Sequence, residues 1–369
     1  MKTTALHALH KELGGKLVDF AGWELPVQYA GIIAEHNHTR ESASLFDVSH
    51  MGQVLVRPKS GKLEDAAAAL ETLMPVSVAG LAEYRQRYGL FTNVDGGVLD
   101  DLMFANHVTH FYVVVNAARA AHDVNHLRTL DGVTVEPQRD RALLALQGPK
   151  AETALSRLIP DAASMVFMDS VITQWDGTEV WVSRSGYTGE DGYEISVPNE
   201  RAEEFARALL AMDEVAPAGL GARDSLRLEA GMPLYGHDLD TGVTPVEAGL
   251  SFAIPKVRRT GGSRAGGFPG ADDILQELAT GASRIRVGLK PAGRAPVREG
   301  APIYLTETQS EPVAKVTSGG FGPTVGGPIA MGMLPPDVEP GTTVFAEVRG
   351  KRLPLSVVEL PFVPHNYKR

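Results

Sequence analysis

Apolar residues recur three or four positions apart in the first part of the chain, the spacing of a helix that buries one face. Two sets follow this spacing: Ala66, Leu70 and Leu73, and then Ala117, Ala121, Val124 and Leu127. A third helix is predicted around Phe205 and Leu209, with Asn199 as its N-cap. Alternation from Val108 to Asn116 predicts a strand. The region up to residue 275 is therefore predicted to be mixed α and β.

After Ala282 the apolar pattern changes to alternation within short runs that glycine or proline separates. The alternating sets are Ile285, Val287 and Leu289, and Val344, Ala346 and Val348. They predict a small all-β domain over residues 282–369, either a sandwich or a barrel. Before it, the segment from Arg258 to Gly270 contains five glycines. That composition predicts a mobile, solvated connector, with a functional lid as the alternative.

Composition excludes several classes of chemistry. The 369 residues include no cysteine, so disulfides, thiolate nucleophiles and cysteine-ligated metal sites are excluded. The net charge of -10 argues against nucleic acid as a partner. No run of about 18 apolar residues indicates a membrane helix. Residues 1–16 lack the apolar block of a signal peptide, so a cytoplasmic protein with no membrane partner is expected.

Some familiar motifs are incomplete in this chain. Gly219 and Gly221 match the first two glycines of a dinucleotide-binding loop, but the third is missing. His36, His38 and His50 suggest a metal cluster. If the first two lie on one helix, however, their side chains project about 200° apart and cannot share an ion. We therefore expect packing and capping histidines, and no metal.

Two adjacent aspartates follow a predicted tight turn. The turn spans Asn93–Gly97, and Val98–Phe104 then has the pattern of a strand. In a strand, Asp100 and Asp101 point to opposite faces, and both have apolar neighbours on their own face. A carboxylate among apolar residues is costly unless it is paired, which makes one of the two a functional candidate. The alternative is an aspartate that caps nearby amides at the edge of the turn.

A second group of polar residues occupies 183–194, where three glycines alternate with tyrosines and carboxylates. Glu194 lies in a strand-like run, where its carboxylate could accept hydrogen bonds from an amino-heterocycle. Ordinary surface acidity is the alternative.

A third group predicts a helix that ends at Gly231 and carries two arginines one turn apart. Arg223 and Arg227 are close enough to need an anionic partner. That partner is either an internal carboxylate or a bound ligand.

Together these segments resemble one family, the aminomethyltransferases of the glycine cleavage system, also called T proteins. The resemblance runs along nearly the whole chain. Its motifs are Phe20–Pro26 (FAGWELP), Phe46–Gly52 (FDVSHMG), Asn93–Leu102, Gly186–Glu194, Gly219–Glu229, Val316–Gly319 (VTSG) and the terminal Pro361–Tyr367 (PFVPHNY). Their order and spread make a chance similarity unlikely.

The resemblance implies an α+β fold, with two mixed α/β lobes around a central folate pocket and a small C-terminal all-β barrel-like domain. It assigns residues 1–275 to the folate-binding region and 282–369 to the barrel. It also implies transfer of a one-carbon unit from the aminomethyl-lipoyl arm of H protein to tetrahydrofolate, which gives 5,10-methylenetetrahydrofolate and ammonia. The implied partners are lipoylated H protein and tetrahydrofolate, and no metal is implied.

Family motifs also assign the site residues. Asp101 matches the essential acid. The implied folate-binding residues are Glu194, Arg223 and Tyr367, with Tyr187 beside them and Met51 and Asn116 in the pocket. Two other functions remain open: a folate-dependent demethylase of the same fold, and a catalytically silent folate-binding module. The presence of Asp101 argues against the silent module.

Overall fold

The computed structural model describes all residues, 1–369. Its α-helices are α1 (His7–Glu12), α2 (Ile32–Glu41), α3 (Leu63–Glu71), α4 (Ala120–Leu127), α5 (Ala151–Leu158), α6 (Asn199–Leu210), α7 (Leu220–Glu229) and α8 (Ala271–Thr280). Short 3₁₀ helices span Pro160–Ser164, Ser251–Ala253 and Lys256–Arg258. None of the helices is long and apolar enough to cross a membrane.

Nineteen strands alternate with these helices and then follow them. In the first region they are β1 (Lys16–Phe20), β2 (Trp23–Gln28), β3 (Ala43–Asp47), β4 (Gly52–Pro58), β5 (Gln86–Thr92), β6 (Val98–Asn106), β7 (Phe111–Val115), β8 (Val133–Pro137), β9 (Arg141–Gln147), β10 (Ser170–Trp175), β11 (Thr178–Ser183), β12 (Gly192–Pro198) and β13 (Val215–Pro217). In the second they are β14 (Ile285–Pro291), β15 (Pro302–Tyr304), β16 (Ala314–Gly322), β17 (Gly327–Leu334), β18 (Thr343–Val348) and β19 (Lys351–Val358).

The strands form two large sheets, one hairpin and one barrel. The first lobe contains a five-stranded sheet in the order β5-β6-β7-β4-β8, and the second a six-stranded sheet in the order β10-β11-β12-β9-β3-β13. Strands β1 and β2 form a separate antiparallel hairpin. The last six strands close into a barrel in the order β14-β17-β16-β15-β18-β19. The predicted α+β class, with mixed lobes and a C-terminal barrel, is therefore confirmed.

Apolar side chains hold the two lobes against each other. Leu55 and Tyr112 of the first sheet share one buried cluster with Leu143 and Trp181 of the second. Separate buried clusters lie under the helices of each lobe and inside the barrel. Burial of apolar area contributes roughly 25 cal/mol per Å², so this shared cluster helps fix the spacing between the sheets. That spacing positions the site described below.

Two local predictions need correction. The predicted strand from Val108 begins only at Phe111, because Val108 has a φ of 68° and lies in the turn that precedes the strand. Asn199 is the first helical residue rather than the N-cap. Its side-chain amide donates to the Arg139 carbonyl instead of capping the helix. The predicted end of α7 at Gly231 is correct, and that glycine has a φ of 66°.

The glycine-rich segment is anchored at Arg258 and Arg264, so the prediction of a solvated connector is wrong at these two residues. Arg258 is buried, and it donates to the main-chain carbonyls of Glu71 at 2.8 Å and Met74 at 3.2 Å. Arg264 donates through Nε to Glu71 Oε2 at 2.9 Å. The short stretch 260–261 between these two arginines is exposed.

Candidate active site

The predicted turn before the two aspartates is present and is built by Asn93. Its backbone N–H donates to the Gly97 carbonyl at 2.9 Å, and its Oδ1 accepts from the backbone N–H of Asp95 and of Gly97. A Cβ at Gly97 would lie 1.9 Å from the Thr241 carbonyl oxygen, so only glycine fits there. The turn joins β5 to β6 and so fixes the start of the strand that carries both aspartates.

Asp101 is held by two side-chain donors. Tyr88 Oη donates to its Oδ2 at 3.0 Å, and Asn116 Nδ2 donates to its Oδ1 at 2.8 Å. Burial raises the pKa of Asp101 to about 7, and the neighbouring Asp100 carboxyl adds to the rise. A carboxyl group with that pKa can take up or release a proton near neutral pH, which is what a general acid or base requires.

Asp100 points to the other face of β6, as the alternation predicts. It is fully buried, and it accepts from the backbone N–H of Asn116 at 3.1 Å and from Asn116 Nδ2 at 2.9 Å. Burial raises the pKa of Asp100 to about 8, and a hydrogen bond with Asp123 of α4 adds to the rise. One asparagine at the end of β7 therefore reaches both carboxyl groups.

A small cavity lies between the two lobes. Its lining residues are Gln86, Met103, Phe104, Ala105, Tyr112, Val114, Leu143, Ser183 and Glu194. Glu194 is the acidic residue among them. Burial raises the pKa of its carboxyl, while the guanidinium of Arg223 opposes the rise. The cavity thus has mainly apolar walls and one carboxyl group, whose charged form the Arg223 guanidinium favours.

Arg223 on α7 leaves hydrogen-bonding capacity unused. Its Nη1 is buried without a hydrogen-bond partner. Its guanidinium lies over the ring of Tyr187, 5.0 Å from the ring centre, and Tyr187 Oη donates to the Pro233 carbonyl at 2.5 Å. A buried N–H without an acceptor is unfavourable, so this group fits a ligand that supplies one.

Arg227, one turn later, is fully occupied by internal partners. It donates to Asp224 at 2.8 Å, to Asp238 at 2.9 Å and to Ser318 of the barrel at 3.1 Å. The anionic partner predicted for the two arginines is therefore internal for Arg227, whereas Arg223 keeps a free donor.

Comparison with known proteins identifies the family. The GCVT N-terminal domain profile matches residues 6–258, and the glycine cleavage T-protein C-terminal barrel domain profile matches residues 284–364. A crystal structure of the glycine cleavage system aminomethyltransferase T from Bartonella henselae superposes with a TM-score of 0.92 at 41% identity, covering 100% of this chain and 99% of that one. The chain belongs to the glycine cleavage T-protein family.

Two curated relatives match over the whole of this chain. The mitochondrial aminomethyltransferase of Dictyostelium discoideum is 42% identical over 390 residues, covering 100% of this chain and 94% of the relative. The mitochondrial aminomethyltransferase of Gallus gallus is 44% identical over 380 residues, with the same two coverages. The sequence resemblance to aminomethyltransferases is confirmed.

The remaining predicted residues lie around this T-protein site at different distances from its centre. Met51 packs on the apolar cluster between the lobes, which also includes Met103. Tyr367 stacks on Phe167 with ring centres 4.0 Å apart, and its other aromatic contact is His365 at 5.2 Å. The structure thus brings Asp101 together with Asn116, and Tyr187 together with Arg223, whereas the ring contacts of Tyr367 are with other residues.

Sequence reasoning missed the roles of three T-protein residues in and around this centre. Tyr88 contacts Asp101, but nothing in its strand pattern distinguishes it from a packing tyrosine. His50 is buried, and burial together with Arg223 lowers its pKa to about 4. Asp123 left a usable signal, because it lies four residues before Leu127 on the apolar face of a predicted helix.

The histidines that resembled a metal cluster have other partners. His36 is fully buried on α2, which confirms that its segment is helical. Its ring nitrogens lie 2.7 Å from Ser225 Oγ and 2.9 Å from Thr324 Oγ1 of the barrel. It also lies 3.0 Å from Glu229 Oε2. His36 therefore links α2, α7 and the barrel.

Proposed function

We propose that this aminomethyltransferase of the glycine cleavage system transfers the one-carbon unit of an aminomethyl group from the lipoyl arm of H protein to tetrahydrofolate. The products are 5,10-methylenetetrahydrofolate, ammonia and the reduced lipoyl arm. The observation that carries the proposal is the buried Nη1 of Arg223 without an acceptor, close to the cavity that Glu194 lines.

The residues present fit a reduced folate. A pterin carries amino and ring N–H donors, and Glu194 is an acceptor on the cavity wall. Arg223 offers a planar donor to a carbonyl or carboxylate. The apolar walls at Met103 and Val114 suit the flat face of a heterocycle. We propose Glu194, Arg223, Tyr187, Met51, Asn116 and Tyr367 as the folate-binding residues.

We propose Asp101 as the catalytic residue. Carbon–sulfur cleavage and loss of ammonia both require proton movement, and positive charge develops on the transferred carbon and nitrogen. A carboxyl group with a pKa of about 7 can hold a proton or stabilise that charge, and Tyr88 and Asn116 fix its orientation. This chemistry uses no metal ion.

The test is a single-turnover assay with aminomethylated H protein and tetrahydrofolate. Release of ammonia together with formation of methylenetetrahydrofolate is the expected result. Folate binding without turnover would favour the silent binding module. Turnover only with a methylated donor would favour the demethylase.

The partner, the compartment and the domain boundary remain parts of this proposal. The H protein is inferred from the family, and the two curated relatives are mitochondrial by name. We propose a cytoplasmic location for this chain. We also retain residues 1–275 and 282–369 as the two functional regions. Helix α8 crosses position 275 and packs through Ile274 on Ile254 and Phe268.

Replacing Arg223 by methionine should weaken tetrahydrofolate binding without unfolding the protein. The change removes the contact with Tyr187 and the attraction to Glu194 but no internal side-chain hydrogen bond, so we expect the protein to remain folded. Loss of a hydrogen bond to a charged group corresponds to about 1.5–3 kcal/mol, or about 10- to 150-fold in Kd. Calorimetric titration measures the effect, with the exposed Arg294→Met as the matched control. Unchanged affinity would remove Arg223 from the folate site.

Replacing Tyr367 separates its ring from its hydroxyl. Tyr367→Phe keeps the stack on Phe167 and should bind tetrahydrofolate normally if the ring alone orders the C-terminal segment. Tyr367→Ala removes an aromatic pair that contributes about 0.5–1.5 kcal/mol. It should therefore weaken binding by about tenfold at most. Normal affinity in both variants would exclude Tyr367 from the site.

A further inference from the structure

Asp100 and Asp123 form a pair of carboxyl groups on the face of β6 opposite to that of Asp101. Asp100 and Asp123 are both 0% exposed. Asn116 connects this pair to Asp101, because its Nδ2 lies 2.9 Å from Asp100 Oδ1 and 2.8 Å from Asp101 Oδ1. We propose that Asp100 and Asp123 form a positioning unit, which shares one proton and thereby controls when Asp101 carries a charge. This proposal rests on the catalytic role proposed above for Asp101.

The geometry favours one proton on the pair. Two adjacent carboxylates that are both buried cannot both be ionised at low cost. Burial raises the pKa of Asp123 to about 6 and that of Asp100 to about 8. The two groups titrate as a pair, so in the neutral range one proton is shared between Asp100 and Asp123. Asp123 Oδ2 is buried and accepts no other hydrogen bond, so the shared proton supplies its donor.

The groups that face the pair do not replace this proton. Arg119 lowers the pKa of Asp123, but its Nε donates to the Leu99 carbonyl at 3.0 Å and its guanidinium lies over Tyr235. His122 Nδ1 lies 3.0 Å from Asp123 Oδ1. His126 stacks on His122, and burial lowers the pKa of His126. Burial lowers the pKa of both imidazoles, which disfavours a positive charge on either beside the pair.

His122 connects the pair to solvent. Its side chain is 43% exposed, whereas the side chain of Asp123 is 0% exposed. The sequence of contacts from solvent inward is thus His122, Asp123, Asp100, Asn116 and Asp101. A proton can enter the pair through His122 without passing through the folate cavity on the other face of the sheet.

The charge on Asp100 acts directly on Asp101. The Asp100 carboxylate raises the pKa of Asp101 by like-charge repulsion. While Asp100 holds the shared proton, Asp101 ionises more easily. When Asp100 is ionised, Asp101 retains its proton to higher pH. The proton on the pair therefore sets the pH range in which Asp101 changes its charge.

Two variants should move the titration of Asp101 in opposite directions. Asp100→Asn mimics the protonated carboxyl, since its amide N–H can donate to Asp123, and it removes the charge. The midpoint of Asp101 should fall, by up to about 1 pH unit. Asp123→Asn turns the acceptor into a donor toward Asp100, which then ionises at neutral pH. The midpoint of Asp101 should then rise.

The measurement is the ¹³C carboxyl titration of aspartate-labelled protein without substrates, with the Asp101 signal assigned from Asp101→Asn. It needs no turnover, so it stays informative if aminomethyl transfer itself is not observed. The acid limb of the kcat–pH profile should move with the midpoint. Asp95→Asn, an exposed change on the same hairpin, is the control and should move neither quantity.

Opposite shifts in the two variants support the positioning unit. A purely structural pair would lower thermal stability and leave the Asp101 midpoint unchanged, and that result would overturn the proposal. Shifts in the same direction would also overturn it. If Asp123→Asn does not fold, the sign of the shift in Asp100→Asn decides alone, because the asparagine preserves the hydrogen bond to Asp123.

Discussion

Replacing Asp101 by asparagine should lower the rate of one-carbon transfer by at least ~10²-fold, the usual contribution of general acid–base catalysis. Asparagine keeps the size of the side chain and an oxygen that accepts from Tyr88 or Asn116, but it has no titratable proton. Tetrahydrofolate affinity should change far less, because Glu194 and Arg223 are untouched. Single-turnover formation of methylenetetrahydrofolate measures the rate, and calorimetry measures the affinity.

Asp95→Asn is the matched control for this change, since Asp95 is an exposed aspartate in the turn that precedes β6. It should transfer carbon at the normal rate. Near-normal turnover in Asp101→Asn would make Asp101 a structural residue. An equal loss of rate and of folate affinity would mean that Asp101 binds the substrate rather than acting on it.

Replacing Arg227 by methionine should lower the free energy of unfolding by about 3–5 kcal/mol, the typical result of removing one member of a buried ion pair. Arg227 is 3% exposed and Asp238 is 0% exposed, so the change leaves a buried carboxylate without its cation. Asp238 keeps hydrogen bonds from Thr317 at 2.6 Å and Ser318 at 2.7 Å, which limit the loss. Urea denaturation followed by circular dichroism measures the change.

Two controls separate the ion pair from simple loss of an arginine. Arg207→Met removes two exposed ion pairs, with Glu12 and Glu203, and should leave the urea midpoint almost unchanged. Adding Asp238→Asn to Arg227→Met removes the unpaired charge and should recover part of the lost stability. If the double variant is as unstable as Arg227→Met alone, the loss comes from packing and not from charge.

Local sequence patterns predicted the strands and turns that neighbouring residues alone determine. Alternation at Ile285, Val287 and Leu289 gave the barrel strand β14, and the Asn93–Gly97 turn gave the hairpin before Asp101. The side to which each aspartate points also follows from alternation alone. Choosing Asp101 over Asp100 required the family resemblance, because both have apolar neighbours along the strand.

Contacts between distant segments could not be predicted in this way. Arg223 and Arg227 look equivalent in sequence, and the partners that distinguish Arg227 include Asp238 and also Ser318, which lies 91 residues further along the chain. The glycine-rich segment resembled a free connector because the acceptor of Arg258 lies 187 residues earlier, at Glu71. No local pattern contains such partners, so these roles become visible only in the folded chain.

The link made by His36 has a consequence for biosynthesis. Its partner Thr324 follows it by 288 residues, so α2 leaves the ribosome long before the barrel turn that completes its surroundings. At about 5–20 residues per second, this interval is roughly 15–60 s. Throughout it, His36 lacks its hydrogen-bond partner from the barrel. The nascent second lobe, on whose sheet α2 packs, therefore reaches its final packing only after translation of the barrel, which places barrel docking among the last steps of folding.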